Sequence, residues 1–303
     1  MSKNVSQPID TVKLSKDIQK IVLDELATCP VGKLQLPDND LKGVHDADKK
    51  IYECLVSFFH TQQLPANIYI ESSEPIFYHD TPEFCIFIDP IDGSLNRDLK
   101  VGDPSISIAY AYGQQPRFSD IFSGYVYGLH SGDSYYAQYG KSYWQPHNHT
   151  EAIEISCDTT VTKLEDAILY YNDGYGQNFA KQALLKAGAL PLKVKHHNAF
   201  DNTAMEICQI CRGVAHLRVE ARSYHHQGKL KGSDHANMLA AFSIGKTAGL
   251  LVTDLAGNVL DNLVIEIDNV QDFICASHEN LLSETLDVLA NNQALLMALF
   301  HEK

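Results

Sequence analysis

The sequence predicts a mixed fold in which an α+β N-terminal half, residues 1–150, and an α/β C-terminal half, residues 151–303, share one large core. Three observations support this prediction. Apolar residues at helical spacing open the chain, a tyrosine-rich meander of short strands occupies much of the first half, and strands alternate with helices in the second half. With 303 residues, the chain is long enough to bury such a core.

The elements of the first half follow from the spacing of apolar residues. Leu14, Ile18 and Val22 form one stripe, which predicts a helix over 11–28. A polar stretch rich in Gly, Pro and Asn predicts a loop over 32–47, and a second helix is expected to begin near 46–48. The predicted strands are the apolar runs 67–71, 84–88 and 105–112, followed by the meander over 123–144, where glycine-containing breaks indicate hairpin turns.

The second half alternates between the two kinds of element. Beyond a polar break at 145–150 the composition changes, and short apolar runs are separated by segments with helical spacing. The predicted order is a strand at 168–172, a helix over 176–188, a strand near 192–196, a helix over 201–213, a strand over 214–219, a helix over 234–248, two closing strands and a last helix over about 279–301.

Charge and hydropathy exclude several functional classes. The chain has 24 basic and 38 acidic residues, a formal charge of −14, which argues against a nucleic acid polymer as partner. No apolar run is long enough to cross a membrane, and the first residues lack the apolar segment of a secretory signal, so we expect a cytoplasmic protein. An acidic chain is compatible with a small phosphorylated ligand if clustered carboxylates hold metal ions that neutralise the phosphate.

The cysteines and histidines indicate no metal or redox motif of a known kind. Cys208 and Cys211 form a CxxC, but they lie at helical apolar spacing without a second cysteine pair, which favours core packing. The histidines at 147 and 149, 196 and 197, and 225 and 226 lack fixed ligand spacing. We therefore expect ordinary exposed or core histidines at these positions.

The most informative stretch is FCIFIDPIDGSLN at 84–96. An apolar strand runs directly into Asp89 and Asp92, and Pro90 restricts the turn between them so that both carboxylates can point into one space. Gly93 allows a close backbone approach, and the amides of Gly93 and Ser94 can form an anion site at the start of a helix. Two carboxylates beside an anion site suit Mg²⁺, although a DPxDG string alone could also be a surface turn. The spacing matches neither an EF-hand loop nor a DxD nucleophile pair.

This stretch resembles the DPxDG[ST] signature of the inositol monophosphatase superfamily, which includes fructose bisphosphatases and phosphoadenosine phosphatases. Three further segments resemble the other motifs of that superfamily in the same order, over roughly residues 40–260. They are ADKKIYE at 47–53, IYIESSE at 68–74 and GKLKGSDHANMLAAFSIGKTAGLLVTDLAG at 228–257. The resemblance implies a layered αβαβα sandwich and a homodimer.

The resemblance also implies the composition of the site. It assigns Asp48 and Ser94 to positioning and deprotonating a water molecule, and the amides of Gly93 and Ser94 to holding the phosphate. It places two or three Mg²⁺ ions per active site. Their ligands would be Glu71, Asp89, the backbone carbonyl of Ile91, Asp92 and Asp234.

Several of these assignments have an ordinary structural alternative. Asp48 and Asp234 could simply cap the helices that follow them, since aspartate is a common N-cap residue. Glu74 competes with Glu71 as a metal ligand, and we favour Glu71 because it ends the apolar strand.

The sequence departs from the family pattern mainly on the substrate side. Arg97 replaces an aromatic residue, Ser233 replaces the usual tryptophan, and residues 201–204 replace a turn of small residues. Thr203 and Ala204 of that turn are expected near the substrate. Glu220 corresponds to a substrate-contacting glutamate only weakly, because the following insert at 222–228 alters the spacing.

The function implied by the resemblance is Mg²⁺-dependent hydrolysis of a small phosphomonoester, with sensitivity to Li⁺. Two alternatives remain. The protein could be a fructose bisphosphatase or a 3′-phosphonucleotide phosphatase of the same fold, or a non-catalytic family member with a binding or regulatory role. Clustered carboxylates argue against the non-catalytic role, since they repel one another without a metal ion.

Overall fold

The computed structural model describes the backbone of residues 9–28, 42–62, 64–71, 73–76, 79–172, 176–226, 229–231, 233–267 and 269–301. Within these ranges it describes all side chains except those of 42–48, 95, 176–180, 225–226, 229–231 and 293–301.

A seven-stranded sheet forms the first half of the fold. Its strands follow one another in chain order, the first two parallel and the others antiparallel. They are β1 (Ala66–Ile70), β2 (Phe84–Asp92), β3 (Ser105–Tyr112), β4 (Ile121–Gly128), β5 (Ser134–Gln138), β6 (Lys141–Gln145) and β7 (Ile153–Ile155).

A five-stranded sheet and a separate two-stranded hairpin belong to the second half. The larger sheet has the strand order β13-β14-β10-β8-β9, with β8 parallel to both of its neighbours. The strands of this half are β8 (Ile168–Tyr171), β9 (His196–Asn198), β10 (Leu217–Glu220), the hairpin β11 (Tyr224–His226) and β12 (Lys229–Lys231), β13 (Leu251–Thr253) and β14 (Phe273–Ala276).

The helices complete an αβαβα sandwich, as the sequence predicted. They are α1 (Thr11–Thr28), α2 (Lys42–Gln62), α3 (Ser94–Leu99), α4 (Gly176–Ala187), α5 (Thr203–Cys211), α6 (Leu239–Ala248) and α7 (Glu279–His301). Helices α1 and α2 cover the outer face of the seven-stranded sheet, α5 and α6 lie between the two sheets, and α4 and α7 cover the outer face of the five-stranded sheet. None of the described helices is both long enough and apolar enough to cross a membrane.

Strand β2 is buried on both faces, and its successive side chains point alternately to one face and the other. Ile86 and Ile88 pack with α1 and α2, whereas Cys85 and Phe87 pack on the opposite side with α5 and α6. A strand covered by helices on both faces has no polar face, which is why β2 appears in the sequence as a continuous apolar run. This burial carries the two aspartates at its carboxyl end into the interior.

Several predicted boundaries are wrong. Strand β2 extends to Asp92 instead of ending at 88, β10 begins at Leu217 instead of 214, and three further boundaries also differ. Residues 42–47 belong to α2, whereas the rest of the predicted loop at 32–47 lies outside the described residues. Residues 190–192 around Pro191 form a 3₁₀ turn, so the strand predicted near 192–196 begins at His196. Helix α6 begins at Leu239 rather than at 234, because the His235 amide donates to the Asn269 carbonyl across the loop (2.8 Å).

Cys208 and Cys211 lie in α5 and are fully buried, as core packing requires. Burial raises the pKa of the Cys208 thiol, which disfavours the reactive thiolate. His147, His149, His196 and His197 are exposed, whereas the side chains of 225 and 226 lie outside the described residues.

Gly124 of β4 allows α6 to lie directly on the seven-stranded sheet. A Cβ atom at this position would lie 2.2 Å from the Ala240 carbonyl oxygen, which is backbone and cannot rotate away. The close approach of strand and helix therefore requires a residue without a side chain.

We expect Gly124→Ala to lower the free energy of unfolding by about 1–3 kcal/mol, because α6 must shift to admit the methyl group. Urea denaturation measures the loss. Gly113→Ala is the control, since its Cβ meets no atom within 4 Å; it carries only the cost of its left-handed backbone, about 1 kcal/mol. An equal or smaller loss in Gly124→Ala would contradict the close contact.

Candidate active site

The carboxyl end of β2 places Asp89 and Asp92 in the interior, where they are 1% and 5% exposed. The pairing of β2 with β3 shifts register between these two aspartates, so the strand bulges there. The Ile91 amide donates to Asp89 Oδ1 (2.9 Å), and Pro90 between them has no N–H to satisfy. The two aspartates therefore lie on either side of one bulge, and we call residues 89–92 the acidic turn because the Asp89 carboxylate closes an Asx turn with the Ile91 amide.

Glu71 reaches the same place from the neighbouring strand. The parallel register sets Ile70 beside Ile88, and the Glu71 amide donates to the Ile88 carbonyl (2.9 Å), so Glu71 follows its strand next to Asp89. Glu74 is exposed three residues later. Of the two glutamates considered as ligands, Glu71 is the one that acts electrostatically on Asp89.

Asp234 comes from the second half of the chain. Its segment forms an isolated bridge with Val270, five residues before the start of α6. Asp234 is therefore not the N-cap of that helix, which removes the structural alternative considered for it. Its charge acts on Asp89 together with the charges of Glu71 and Asp92.

The pKa of Asp89 is well above its usual range. Burial is the largest cause, followed by the negative charges of Glu71, Asp92 and Asp234, and by a hydrogen bond that Asp89 shares with Glu71 when one of the two is protonated. Asp89 Oδ2 is buried and receives no hydrogen bond from an N–H or hydroxyl group among the described residues. Such an oxygen is costly unless a proton or a cation compensates it.

Asp92 is held differently. The Ala204 amide at the start of α5 donates to Asp92 Oδ2 (2.8 Å), which favours the ionised form. Burial outweighs this bond and, with the nearby charges of Asp201 and Glu206, raises the pKa of Asp92 to about 8. Arg218 opposes that rise.

The acidic residues suit a hard divalent cation for two reasons. Their carboxylate oxygens are ligands that such a cation prefers, and a bound cation would neutralise the repulsion between their charges. Mg²⁺ prefers carboxylate and carbonyl oxygens, and the buried Asp89 Oδ2 is an oxygen of that kind without a donor. Among the described residues, no three acidic, histidine or cysteine side chains already converge as a metal cage. Mg²⁺ commonly keeps several waters and uses few protein ligands, so the donor set fits it without such a cage.

Gly93 and Ser94 lead from the acidic turn into the six-residue helix α3. Gly93 has φ +81°, a left-handed conformation that an L side chain rarely adopts. The Arg97 amide donates to the Gly93 carbonyl (3.1 Å), which closes the first turn of α3. Both residues are half-buried.

The predicted substrate-side residues are engaged in a buried ionic network. Thr203 Oγ1 accepts a hydrogen bond from Arg218 Nη2 (2.9 Å). Glu220 is fully buried and accepts hydrogen bonds from Arg222 Nε and Nη2, both at 2.7 Å. Burial opposes ionisation of Glu220, but Arg222 and Arg218 outweigh it and hold its pKa below the usual range. To accept a hydrogen bond from a substrate hydroxyl, Glu220 would have to give up a hydrogen bond from an arginine.

Sequence reasoning missed both arginines of this network. Arg218 Nε also donates to Glu206 Oε2 (2.8 Å), and Arg222 Nη1 to Asp201 Oδ1 (2.6 Å). A signal was present, because Arg218 and Glu220 are two residues apart on one strand and so share a face. Asp48 lies within α2, which excludes it as the N-cap of that helix, and its side chain lies outside the described residues.

Comparison with known proteins shows the family to which the chain belongs. Residues 8–301 match the inositol monophosphatase family. A fructose-1,6-bisphosphatase/inositol-1-monophosphatase of Archaeoglobus fulgidus is 27% identical over 205 residues, 67% of this chain and 69% of that protein. A bifunctional NADP phosphatase/NAD kinase of Methanococcus maripaludis is 23% identical over 69% of this chain, and the match spans 36% of that longer protein.

Solved structures show the same fold. A Pyrococcus horikoshii protein described as similar to inositol-1 monophosphatase superposes with a TM-score of 0.66 at 18% identity, over 92% of this chain and 99% of its own. An inositol monophosphatase of Thermotoga maritima gives a TM-score of 0.65 at 18% identity, over 94% and 98% of the two chains. The protein belongs to the inositol monophosphatase family.

We expect Asp89→Asn to stabilise the metal-free protein by about 1–3 kcal/mol, because it removes a buried unpaired charge and its new N–H can donate to Glu71. The gain has a defined pH dependence. A carboxyl whose folded pKa is raised loses stability as the pH rises above its unfolded value of about 4, so the difference from wild type must be larger at pH 8 than at pH 5.

Urea denaturation in EDTA at the two pH values measures this difference. Glu165→Gln is the control, because that carboxylate is 72% exposed and its loss should change stability by no more than about 0.5 kcal/mol. A metal-free Asp89→Asn protein less stable than wild type at pH 8 would contradict the repulsive site.

Proposed function

We propose that the protein is a Mg²⁺-dependent phosphomonoesterase that hydrolyses a small phosphorylated metabolite in the cytoplasm. The observation that carries the proposal is the buried Asp89 Oδ2, which has no N–H or hydroxyl donor among the described residues and lies among the charges of Glu71, Asp92 and Asp234. A fold that buries mutually repelling carboxylates is destabilised unless a cation binds them. Membership of a family whose named relatives are phosphatases supports the same reaction.

The proposed roles are those that the resemblance to the family implies. Two or three Mg²⁺ ions per site would be held by Glu71, Asp89, the Ile91 carbonyl, Asp92 and Asp234. Bound Mg²⁺ supplies charge neutralisation for the phosphate oxygens and lowers the pKa of a coordinated water.

The remaining proposed residues act on the water and the phosphate. Asp48 and Ser94 hold the attacking water and accept its proton. The amides of Gly93 and Ser94 donate to the phosphate at the start of α3, and Thr203 and Ala204 border the leaving group. In-line attack by water then needs no covalent phosphoenzyme.

The substrate class stays open between three candidates that the relatives suggest: an inositol monophosphate, a sugar bisphosphate and a nucleotide with a phosphate on its ribose. The two arginines on Glu220 make it a weaker acceptor for polyol hydroxyls than a solvated carboxylate. By family analogy we also propose a homodimer that Li⁺ inhibits.

We expect the purified protein to release phosphate from one class in a panel of inositol monophosphates, fructose 1,6-bisphosphate, NADP⁺ and 3′-phosphoadenosine phosphates. Release should require Mg²⁺ and stop in EDTA, because the carboxylate site cannot neutralise a phosphate by itself. Colorimetric phosphate assay measures it. No release from any compound with folded, Mg²⁺-loaded protein would favour a non-catalytic binding role.

A matched pair of variants tests the ligand assignment. We expect Glu71→Gln to lose at least about 100-fold in kcat/KM, since it removes a proposed metal ligand. Glu74→Gln should stay within about threefold of wild type, because an exposed side chain away from the metal contributes little to the reaction. The same assay at saturating Mg²⁺ decides, and a larger loss in Glu74→Gln would reverse the assignment.

A further inference from the structure

Asn202 lies where the two halves of the chain meet beside the acidic turn. It is 1% exposed and precedes α5 as its N-cap residue, with Oδ1 accepting a hydrogen bond from the Met205 amide (3.0 Å). Capping alone needs only this one acceptor, and serine or threonine serve it as well. The Nδ2 group and the second lone pair of Oδ1 are therefore not needed to cap α5.

The other hydrogen bonds of Asn202 reach back to the seven-stranded sheet. Its Nδ2 donates to the Asp92 carbonyl (3.0 Å) and to the Asp103 carbonyl (2.7 Å), and its Oδ1 also accepts from Ser105 Oγ (3.1 Å). A carboxamide has two N–H donors and two lone pairs on its oxygen, and all four are in use here. One buried side chain therefore joins the end of β2, the start of β3 and the start of α5.

This joint holds Asp92 at two points. Asn202 binds its main-chain carbonyl, and the Ala204 amide, two residues further along the same segment, binds its carboxylate at 2.8 Å. Moving the segment would move both contacts together. Asp92 is thus oriented by the second half of the chain, although it belongs to the first.

The contact is reciprocal and closely packed. Asn96 of α3 donates through Nδ2 to the carbonyls of Phe200 and Asp201, the two residues before Asn202. A Cβ on Gly93 would lie 3.3 Å from both Asn202 Nδ2 and the Asp201 carbonyl oxygen. The missing side chain at Gly93 is therefore what lets the Asn202 carboxamide lie against the acidic turn.

We propose that Asn202 is a positioning residue that orients Asp92 for Mg²⁺ binding by fastening the two halves of the molecule together at the site. The proposal rests on the function proposed above, because it takes Asp92 as a metal ligand. Residues that orient a ligand through hydrogen bonds typically contribute about 10–100-fold to metal affinity. Loss of the Asn202 carboxamide should therefore weaken Mg²⁺ binding.

The test compares Asn202→Ser with Ser105→Ala in the full chain by isothermal titration with MgCl₂ in the absence of substrate. Serine keeps the acceptor that caps α5 but is too short to span to the Asp92 and Asp103 carbonyls. Ser105→Ala removes one hydrogen bond from the same carboxamide and leaves both bonds to those carbonyls in place. We expect at least about tenfold weaker Mg²⁺ binding in Asn202→Ser and less than about threefold in Ser105→Ala.

Asn202→Asp provides a second variant of the same shape in case Asn202→Ser does not fold. It keeps the acceptor bonds but, ionised or protonated, cannot donate to both the Asp92 and the Asp103 carbonyl, and an ionised carboxylate would by itself attract Mg²⁺ more strongly. Mg²⁺ binding weaker than that of the wild type supports positioning by geometry, and Mg²⁺ binding as tight as that of the wild type contradicts it. In either variant, the Mg²⁺ concentration for half-maximal phosphate release should rise by a larger factor than the rate of release at saturating Mg²⁺ falls. General destabilisation of the protein does not produce this difference.

The outcomes separate the two proposals. Wild-type Mg²⁺ affinity in Asn202→Ser, or an equal loss in Ser105→Ala, overturns the role of Asn202 and leaves the proposed function intact. Absence of Mg²⁺ binding in the unmodified protein overturns both.

Discussion

The structure depends on one unfavourable interaction, the repulsion among carboxylates buried at the end of β2. Helices cover β2 on both faces, so Asp89 and Asp92 cannot turn away into solvent. Hydrogen bonds from nearby backbone amides hold these two carboxylates in place. The Ile91 amide binds Asp89 Oδ1 and the Ala204 amide binds Asp92 Oδ2, and the buried Asp89 Oδ2, which no N–H or hydroxyl group of the described residues binds, is an oxygen that a cation would take.

A second set of buried charges links the layers of the sandwich. Arg218 of β10 is 1% exposed in its side chain and pairs with Glu206 of α5. This ion pair fastens the five-stranded sheet to the helix whose first amides hold Asp92. Breaking a buried pair by removing one partner costs about 3–5 kcal/mol, so the network keeps α5 in a fixed place relative to both sheets. The geometry at Asp92 therefore also depends on an ion pair that involves the second sheet.

The sequence predicted the elements and the acidic turn because each depends on local patterns. Period two in SISIAYAY, helical spacing over 11–28 and the DPIDGS string all lie within a few residues. The misplaced start of α6 and the unpredicted contact between Asn202 and Asp92 have a different origin. The His235 amide pairs with Asn269, and Asn202 pairs with Asp92, more than 100 residues earlier in the chain. Contacts at such separation leave no periodic trace, so only the folded chain reveals them.

The parallel pairing of β1 with β2 has a consequence for how such a protein can diverge. Glu71 meets Asp89 through the ladder that sets Ile70 beside Ile88, and not through the chain between 71 and 83. Residues can be added to or lost from that connection without moving either carboxylate, since loop length costs little free energy. One residue inserted within β1, by contrast, would turn Glu71 to the opposite face of the sheet. Evolution can thus change the surface next to the acidic turn while the strand pairing that brings Glu71 beside Asp89 is kept.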